Sequence, residues 1–132
     1  MLRITSKIVF LPTSIFIGIF SWQAMAEMPT YPNIKPLLIE AIDAPDGKSG
    51  GVVTGPLTGF FRQTTGSQQP VIATVTTVAK FDQPGCKRLN LHLKQPGVQT
   101  TSGEKKDFDV NYGFNLCRNG DAPDKQSRMI SN

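Results

Sequence analysis

The chain has 132 residues, enough for one domain, and 39% of them are hydrophobic. Its 14 basic and 10 acidic residues leave a formal net charge of +4. Removal of the predicted signal peptide, described next, lowers this excess to +2, which gives no support for binding nucleic acid or an anionic membrane, since both need a strongly basic surface.

Residues 1–26 have the three parts of a secretory signal peptide. Arg3 and Lys7 precede an apolar run over residues 8–20, and Ala-Met-Ala follows at residues 24–26. The run is shorter than the roughly 20 residues of a membrane-spanning helix, and a proline and a serine interrupt it. We therefore expect cleavage after residue 26 rather than a membrane anchor. Cleavage would leave 106 residues, lower the net charge to +2, and give a periplasmic or secreted protein with no stable membrane span.

Residues 27–50 are rich in proline, glycine and acidic side chains. The prolines at positions 29, 32 and 36 favour an extended lead-in to the domain. The only apolar cluster, Leu37-Leu38-Ile39 with Ile42, is compatible with one short helical turn or with a first strand.

Residues 51–117 are predicted to form a β-domain. Strands are predicted in two apolar pieces of 51–63 divided at Gly55-Pro56, in the β-branched segment 71–81, and in the alternating segments 87–95 and 107–117. Polar loops are expected at 64–70 and 96–106, and a flexible tail at 118–132. The predicted fold class is all-β, a small antiparallel sandwich or partly open barrel with one disulfide-linked C-terminal hairpin.

The two cysteines, Cys86 and Cys117, favour a disulfide in an exported protein. If they lie opposite each other in an antiparallel hairpin, the facing pairs are Leu89 with Phe114, Leu91 with Tyr112, and Leu93 with Val110. The apolar residues then share one face, whereas a shift by one residue would mix the faces. On the other face, His92 meets Asn111 and Lys94 meets Asp109.

Catalytic or metal-binding roles for the cysteines have less support. Cys86 and His92 would be about 20 Å apart along one strand, too far for a Cys–His nucleophile. His92 is the only histidine, so a complete set of zinc ligands is not available, and no CxxC motif occurs. We predict no catalytic residues, no metal and no cofactor, although Asp107 and Asp109 remain an alternative acid–base or cation-binding pair.

The segment Phe60-Phe61-Arg62 is the predicted partner-binding site. If it is a strand, adjacent side chains point to opposite faces, so that one phenylalanine is core and the other exposed, unless both are buried. An exposed phenylalanine next to an arginine is a composition typical of protein interfaces. The basic face of the hairpin is a second candidate surface, formed by Lys87, Arg88, Asn90, His92 and Lys94.

Residues 59–123 resemble small exported accessory proteins of bacterial conjugation and type IV secretion systems. The resemblance rests on the segments GFFRQTTGSQQPVIATVTTVAKF, GCKRLNLHLKQ and FDVNYGFNLCRNGDAP. It implies a periplasmic protein that assists the transfer apparatus by contact with a protein of the cell envelope, and it assigns no catalytic residue.

The alternative function is a secreted inhibitor of an envelope or cell-wall enzyme. A rigid loop of a disulfide-linked β-domain loses little entropy when it enters the cleft of an enzyme. The loops 64–70 and 96–106 are the candidate inhibitory loops.

Overall fold

The computed structural model describes residues 28–130, in which two helices cover one face of a six-stranded sheet. The predicted signal peptide and its cleavage site lie outside these residues. The elements in chain order are β1 (Thr30–Tyr31), α1 (Lys35–Asp43), β2 (Lys48–Val53), α2 (Pro56–Thr65), β3 (Val71–Phe81), β4 (Cys86–Gln99), β5 (Lys105–Cys117) and β6 (Met129–Ile130).

The sheet has the strand order β1-β2-β3-β4-β5, and β6 pairs with the end of β3. All neighbouring strands are antiparallel except β1 and β2, which are parallel. The sheet is not closed. The prediction of a mostly β, antiparallel domain with a disulfide-linked hairpin is confirmed. The layer that packs on the sheet consists of the two helices rather than a second sheet.

The predicted register of the hairpin is confirmed. Cys86 lies opposite Cys117 in β4 and β5, and the two form a disulfide. Leu89, Leu91 and Leu93 of β4 are fully buried under the helices. Lys94 faces Asp109 and His92 faces Asn111, as predicted. The disulfide and the hydrophobic alternation therefore specify the same pairing.

The prediction of a second strand within 51–63 is wrong, because Pro56–Thr65 form helix α2. Gly55, two residues after the end of β2, precedes the helix with a φ of 84°. Pro56 occupies the first turn of the helix, where a missing N–H costs nothing. Leu57, Phe61 and Thr65 are four residues apart, a helical spacing that places them on the side facing the sheet.

The segment 27–50 is not extended throughout, because Lys35–Asp43 form helix α1. Pro36 lies in its first turn, where proline is tolerated. Leu37, Leu38, Ala41 and Ile42 are buried on one face of this helix. Of the two readings of the apolar cluster, the helical one is correct, and the helix is longer than one turn.

Hydrogen bonds hold the C-terminal segment to the sheet, in contrast to the flexible tail predicted for 118–132. The N–H of Asp82 donates to the carbonyl of Arg128 at 2.9 Å. The carboxylate of Asp82 accepts from the N–H of Arg128 at 2.9 Å and from the hydroxyl of Ser127 at 2.8 Å. The side chain of Gln83 accepts from the N–H of Asp124 at 2.8 Å. A polar sequence can thus be ordered when its hydrogen bonds are made to a strand end, a feature that hydrophobic periodicity does not reveal.

Candidate binding surfaces

Phe60, Phe61 and Arg62 point in three directions, because successive residues of a helix are rotated by about 100°. Phe61 is 1% exposed, and its ring lies edge-on to that of Phe108 in β5, with centroids 5.8 Å apart. Phe60 is 53% exposed and packs edge-on against Phe61 at 6.0 Å. Phe61 is therefore a core residue. One phenylalanine is core and one is exposed, but helical rotation rather than strand alternation separates them.

Arg62 lies on the flank of α2 opposite to Phe60. It lines a cleft of about 500 Å³, whose other walls are the end of β2, the start of α2 and residues 68–70. Phe60 and Arg62 are both exposed but do not form one patch. A partner that contacts Phe60 from one side would not reach the Arg62 cleft directly.

The two predicted inhibitory loops lie next to each other. The last residue of α2, Thr65, and the two residues after it, Gly66 and Ser67, form one wall of a cleft of about 540 Å³. The tip of the β4–β5 hairpin, from Gly97 to Lys105, forms the other wall. The hairpin loop itself is short, because β4 continues to Gln99 past a bulge between Gln95 and Val98. The cleft is therefore bounded by a turn and a strand end rather than by two long loops.

A buried glutamine fixes the loop that follows α2. Gln95 of β4 is 0% exposed, and its Nε2 donates to the carbonyl oxygens of Ser67 (3.2 Å) and Gln69 (2.9 Å). The hydroxyl of Thr65 donates to its Oε1 at 2.6 Å. Both N–H donors and the side-chain oxygen are bonded, so the side chain orders the loop without leaving an unpaired buried polar atom. The sequence interpretation missed this residue, although a glutamine at the fourth apolar position of Leu89-x-Leu91-x-Leu93-x-Gln95 was a visible signal.

The face of the sheet away from the helices carries the polar residues of the hairpin. Of the second candidate surface, Arg88, Asn90, His92 and Lys94 lie on this face. Lys87 alternates to the helix side, where its Nζ donates to the carbonyl of Ile42 at 2.8 Å. The predicted basic surface is thus smaller than proposed.

Asp107 and Asp109 each lie beside a basic side chain on β4. Nε2 of His92 lies 2.7 Å from Oδ1 of Asp109, and Nζ of Lys94 lies 3.8 Å from Oδ2 of Asp107. Both pairs are exposed. Among residues 28–130, no three histidine, cysteine or acidic side chains cluster as metal ligands would. The arrangement is a cross-strand ladder of acidic and basic side chains, which is typical of a solvated face.

Arg88 extends across β5 to the edge of the sheet. Its guanidinium group lies over Gly113, in the space that a β-carbon there would occupy, and its Nη1 donates to Oδ1 of Asn115 at 2.9 Å. Gly113 therefore has a steric role, because any side chain at this position would displace the guanidinium. Sequence analysis did not single out this pair.

The surroundings of Asp82 and Tyr31 shift the pKa of each side chain. The backbone N–H of Arg128, helped by the hydroxyl of Ser127, lowers the pKa of Asp82 by stabilising the carboxylate. The hydroxyl of Tyr31 donates to Glu40, and this hydrogen bond raises the pKa of Tyr31, with burial adding to the effect. Both groups join segments distant in sequence and form no cleft together, so they serve the fold.

Comparison of the chain with protein-family models, curated proteins and solved structures returned no match. Within the described range, neither helix is long and apolar enough to cross a bilayer. Function is therefore inferred from the geometry of the chain's own surfaces.

Proposed function

We propose that this chain is an exported, non-enzymatic protein that acts by contact with another protein of the cell envelope, as an accessory component of a conjugation or type IV secretion apparatus. The exposed ring of Phe60 carries the proposal. An aromatic side chain with half its surface in water offers a large apolar contact area at low entropic cost.

The setting of Phe60 supports this role. Its ring is held against Phe61, which in turn packs on Phe108, so the exposed group is placed by the core rather than by a loop. Preorganisation of this kind lowers the entropy lost on binding. The Cys86–Cys117 disulfide is compatible with a periplasmic or secreted location, where such bonds persist.

The test compares Phe60→Ala with Val78→Ala in tagged protein cross-linked in cells and recovered from the envelope. Val78 is the matched control because it is an apolar residue with the same exposure, 53%, on another element. An aromatic hot spot is worth about 2 kcal/mol, so Phe60→Ala should weaken the captured partner's affinity about 30-fold. Val78→Ala should leave it unchanged, and both variants should keep the wild-type melting temperature.

The role in the apparatus is tested by conjugation. Cells with Phe60→Ala should lose transfer by conjugation, and cells with Val78→Ala should keep it. Equal capture by all three proteins would refute the role of Phe60. An absence of any cross-linked partner would refute the proposed function.

The second candidate function is inhibition of an envelope or cell-wall hydrolase. The observation that favours it is the cleft between Ser67 and the hairpin tip, whose first wall is fixed by the three hydrogen bonds of Gln95. Wild-type protein should inhibit at least one hydrolase of a panel, and Thr101→Trp at the tip should weaken inhibition, whereas Thr74→Trp on the opposite face should not. An uninhibited panel would reject this candidate.

A further inference from the structure

In the part of the chain that the structure describes, the outer edge of β5 is unpaired except at Cys117. β5 has 13 residues, contains no proline, and pairs on one side with β4, while within residues 28–130 no strand lies on its other side. Its pairing with β4 is regular from Phe108 to Cys117. Proteins usually protect such an edge with lysines, a proline, a bulge or a covering segment. The lysines of β5, Lys105 and Lys106, lie at its start and leave residues 107–115 without this protection.

Two hydrogen bonds show which backbone groups face outward. The N–H of Cys117 donates to the carbonyl of Asp121, in the C-terminal segment, and the N–H of Arg118 donates to the carbonyl of Gly85, next to β4. Backbone groups alternate along an antiparallel strand. The odd-numbered residues from Asp107 to Asn115 therefore present their N–H and C=O groups away from β4.

We propose that the occupant of this edge is β5 of a second copy of this chain, paired antiparallel about a two-fold axis at Asn111. Asn111 is the midpoint of the five outward-facing residues, which are the odd-numbered ones from 107 to 115. With the axis there, all five are paired. Moving the axis by one residue to Tyr112 would place Asp107 opposite Cys117, whose N–H is already bonded to Asp121. The result is one sheet that continues through both copies.

In this register the apolar side chains match. Phe108 lies opposite Phe114 of the second copy, and Val110 lies opposite Tyr112 of the second copy. Aromatic pairs and aromatic pairs with β-branched residues are favourable across strands. Tyr112, which is 48% exposed at the edge, would be covered by this pairing.

The charges also match, and they argue for a second copy rather than an unrelated strand. Asp109 lies opposite Gly113 of the second copy, where the guanidinium of that copy's Arg88 occupies the space above the glycine. In the part of the chain described, Arg88 forms no salt bridge and Oδ2 of Asp109 accepts no hydrogen bond. Opposed side chains of paired strands start about 5 Å apart, so the two-fold axis creates two Asp109–Arg88 ion pairs.

The first test is the dimer dissociation constant of the oxidised, exported protein, measured by sedimentation for the wild type and for Asn111→Pro. Proline at 111 removes an N–H that faces outward and leaves the bonds to β4 in place. We expect at least a tenfold rise in the dissociation constant, about 1.4 kcal/mol. The control Asn111→Thr, a good strand former, should stay dimeric.

The second test needs no disruptive variant. Asn111→Cys should be joined to its copy by a short bis-maleimide reagent, because the axis brings the two positions together. Thr74→Cys, exposed on the central strand β3, should not be joined. If Asn111→Pro fails to fold, this cross-link still decides.

The third test concerns charge. Asp109→Lys places two cations together and should raise the dissociation constant at least about tenfold. Asp46→Lys, exposed in the turn before β2 and outside the proposed edge, should not. A wild type that is monomeric at all concentrations would overturn the proposal. So would a dimer unaffected by Asn111→Pro, or equal cross-linking at 74 and 111. A monomer that captures another protein's strand only with Asn111 intact would assign the edge to that partner instead.

Discussion

The two ends of the β4–β5 hairpin are held by different chemistry. At one end, the disulfide of Cys86 and Cys117 joins the strands covalently, and Lys87 donates to the carbonyl of Ile42 at the C-terminal end of α1. At the other end, the facing residues Gln95 and Phe108 are covered by α2 without a covalent bond.

The non-covalent end depends on a match between a helix and a strand pair. Phe61 and Thr65 are one helical turn apart on α2, and they contact Phe108 and Gln95, which are opposite each other in the hairpin. One contact is apolar and the other is a hydrogen bond. At the disulfide end, the bond stabilises the fold by reducing the conformational entropy of the unfolded chain. The α2 end depends on packing. The proposed binding surfaces, Phe60 and the 540 Å³ cleft, lie at the end held by packing.

The largest effect is expected at the packed end. Phe61→Ala should lower the free energy of unfolding by about 3–5 kcal/mol, because it removes a buried ring and leaves a cavity against Phe108. Phe60→Ala, on the exposed flank, should change it by less than about 0.5 kcal/mol. Urea unfolding of both variants measures the difference. Similar losses would mean that α2 does not pack as described.

The covalent end should come second. The double variant Cys86→Ala/Cys117→Ala should lose about 3–4 kcal/mol, since the disulfide spans a sequence separation of 31 residues. Chemical denaturation of oxidised wild type, reduced wild type and the variant gives the comparison. If reduction left the stability unchanged, the hairpin would be held by the helices alone.

The hydrogen bonds of the packed end should contribute less. Gln95→Leu keeps the side-chain volume but leaves the carbonyl oxygens of Ser67 and Gln69 without their donor, which should cost about 1–3 kcal/mol. Gln99→Leu, exposed on the same strand, is the control. Amide hydrogen exchange of residues 66–69 should rise only in Gln95→Leu, and unchanged exchange would contradict the role of Gln95.

The smallest effect is expected near the disulfide, at the C-terminal segment. The pKa of Asp82 is lowered in the folded state, so its contribution is present at neutral pH and is lost as the pH falls below about 4. The NMR signals of Ser127 and Arg128 should then shift before the core unfolds. Asp82→Ala should show the shifted signals already at neutral pH. Signals that stay constant down to the acid unfolding of the core would contradict this contact.

The sequence by itself determined the β-hairpin and its disulfide. Leucines alternating with polar residues in β4, and a complementary alternation in β5, are compatible with one register, because a shift by one residue moves every apolar side chain to the wrong face. The density of β-branched residues in 71–81, also a local property, predicted β3 with the bounds found in the structure.

Tertiary structure decided the rest. Gly-Pro can divide two strands or end a strand and begin a helix, and only the apolar face that Phe61 and Leu57 present to the sheet selects the helix. In the sequence, Gln95 interrupts a series of apolar residues. Only the folded chain brings Thr65, Ser67 and Gln69 to it as hydrogen-bond partners. The Arg88–Gly113 contact joins residues 25 positions apart through sterics alone. Each of these features depends on a partner distant in sequence, and periodicity within a segment carries no information about such a partner.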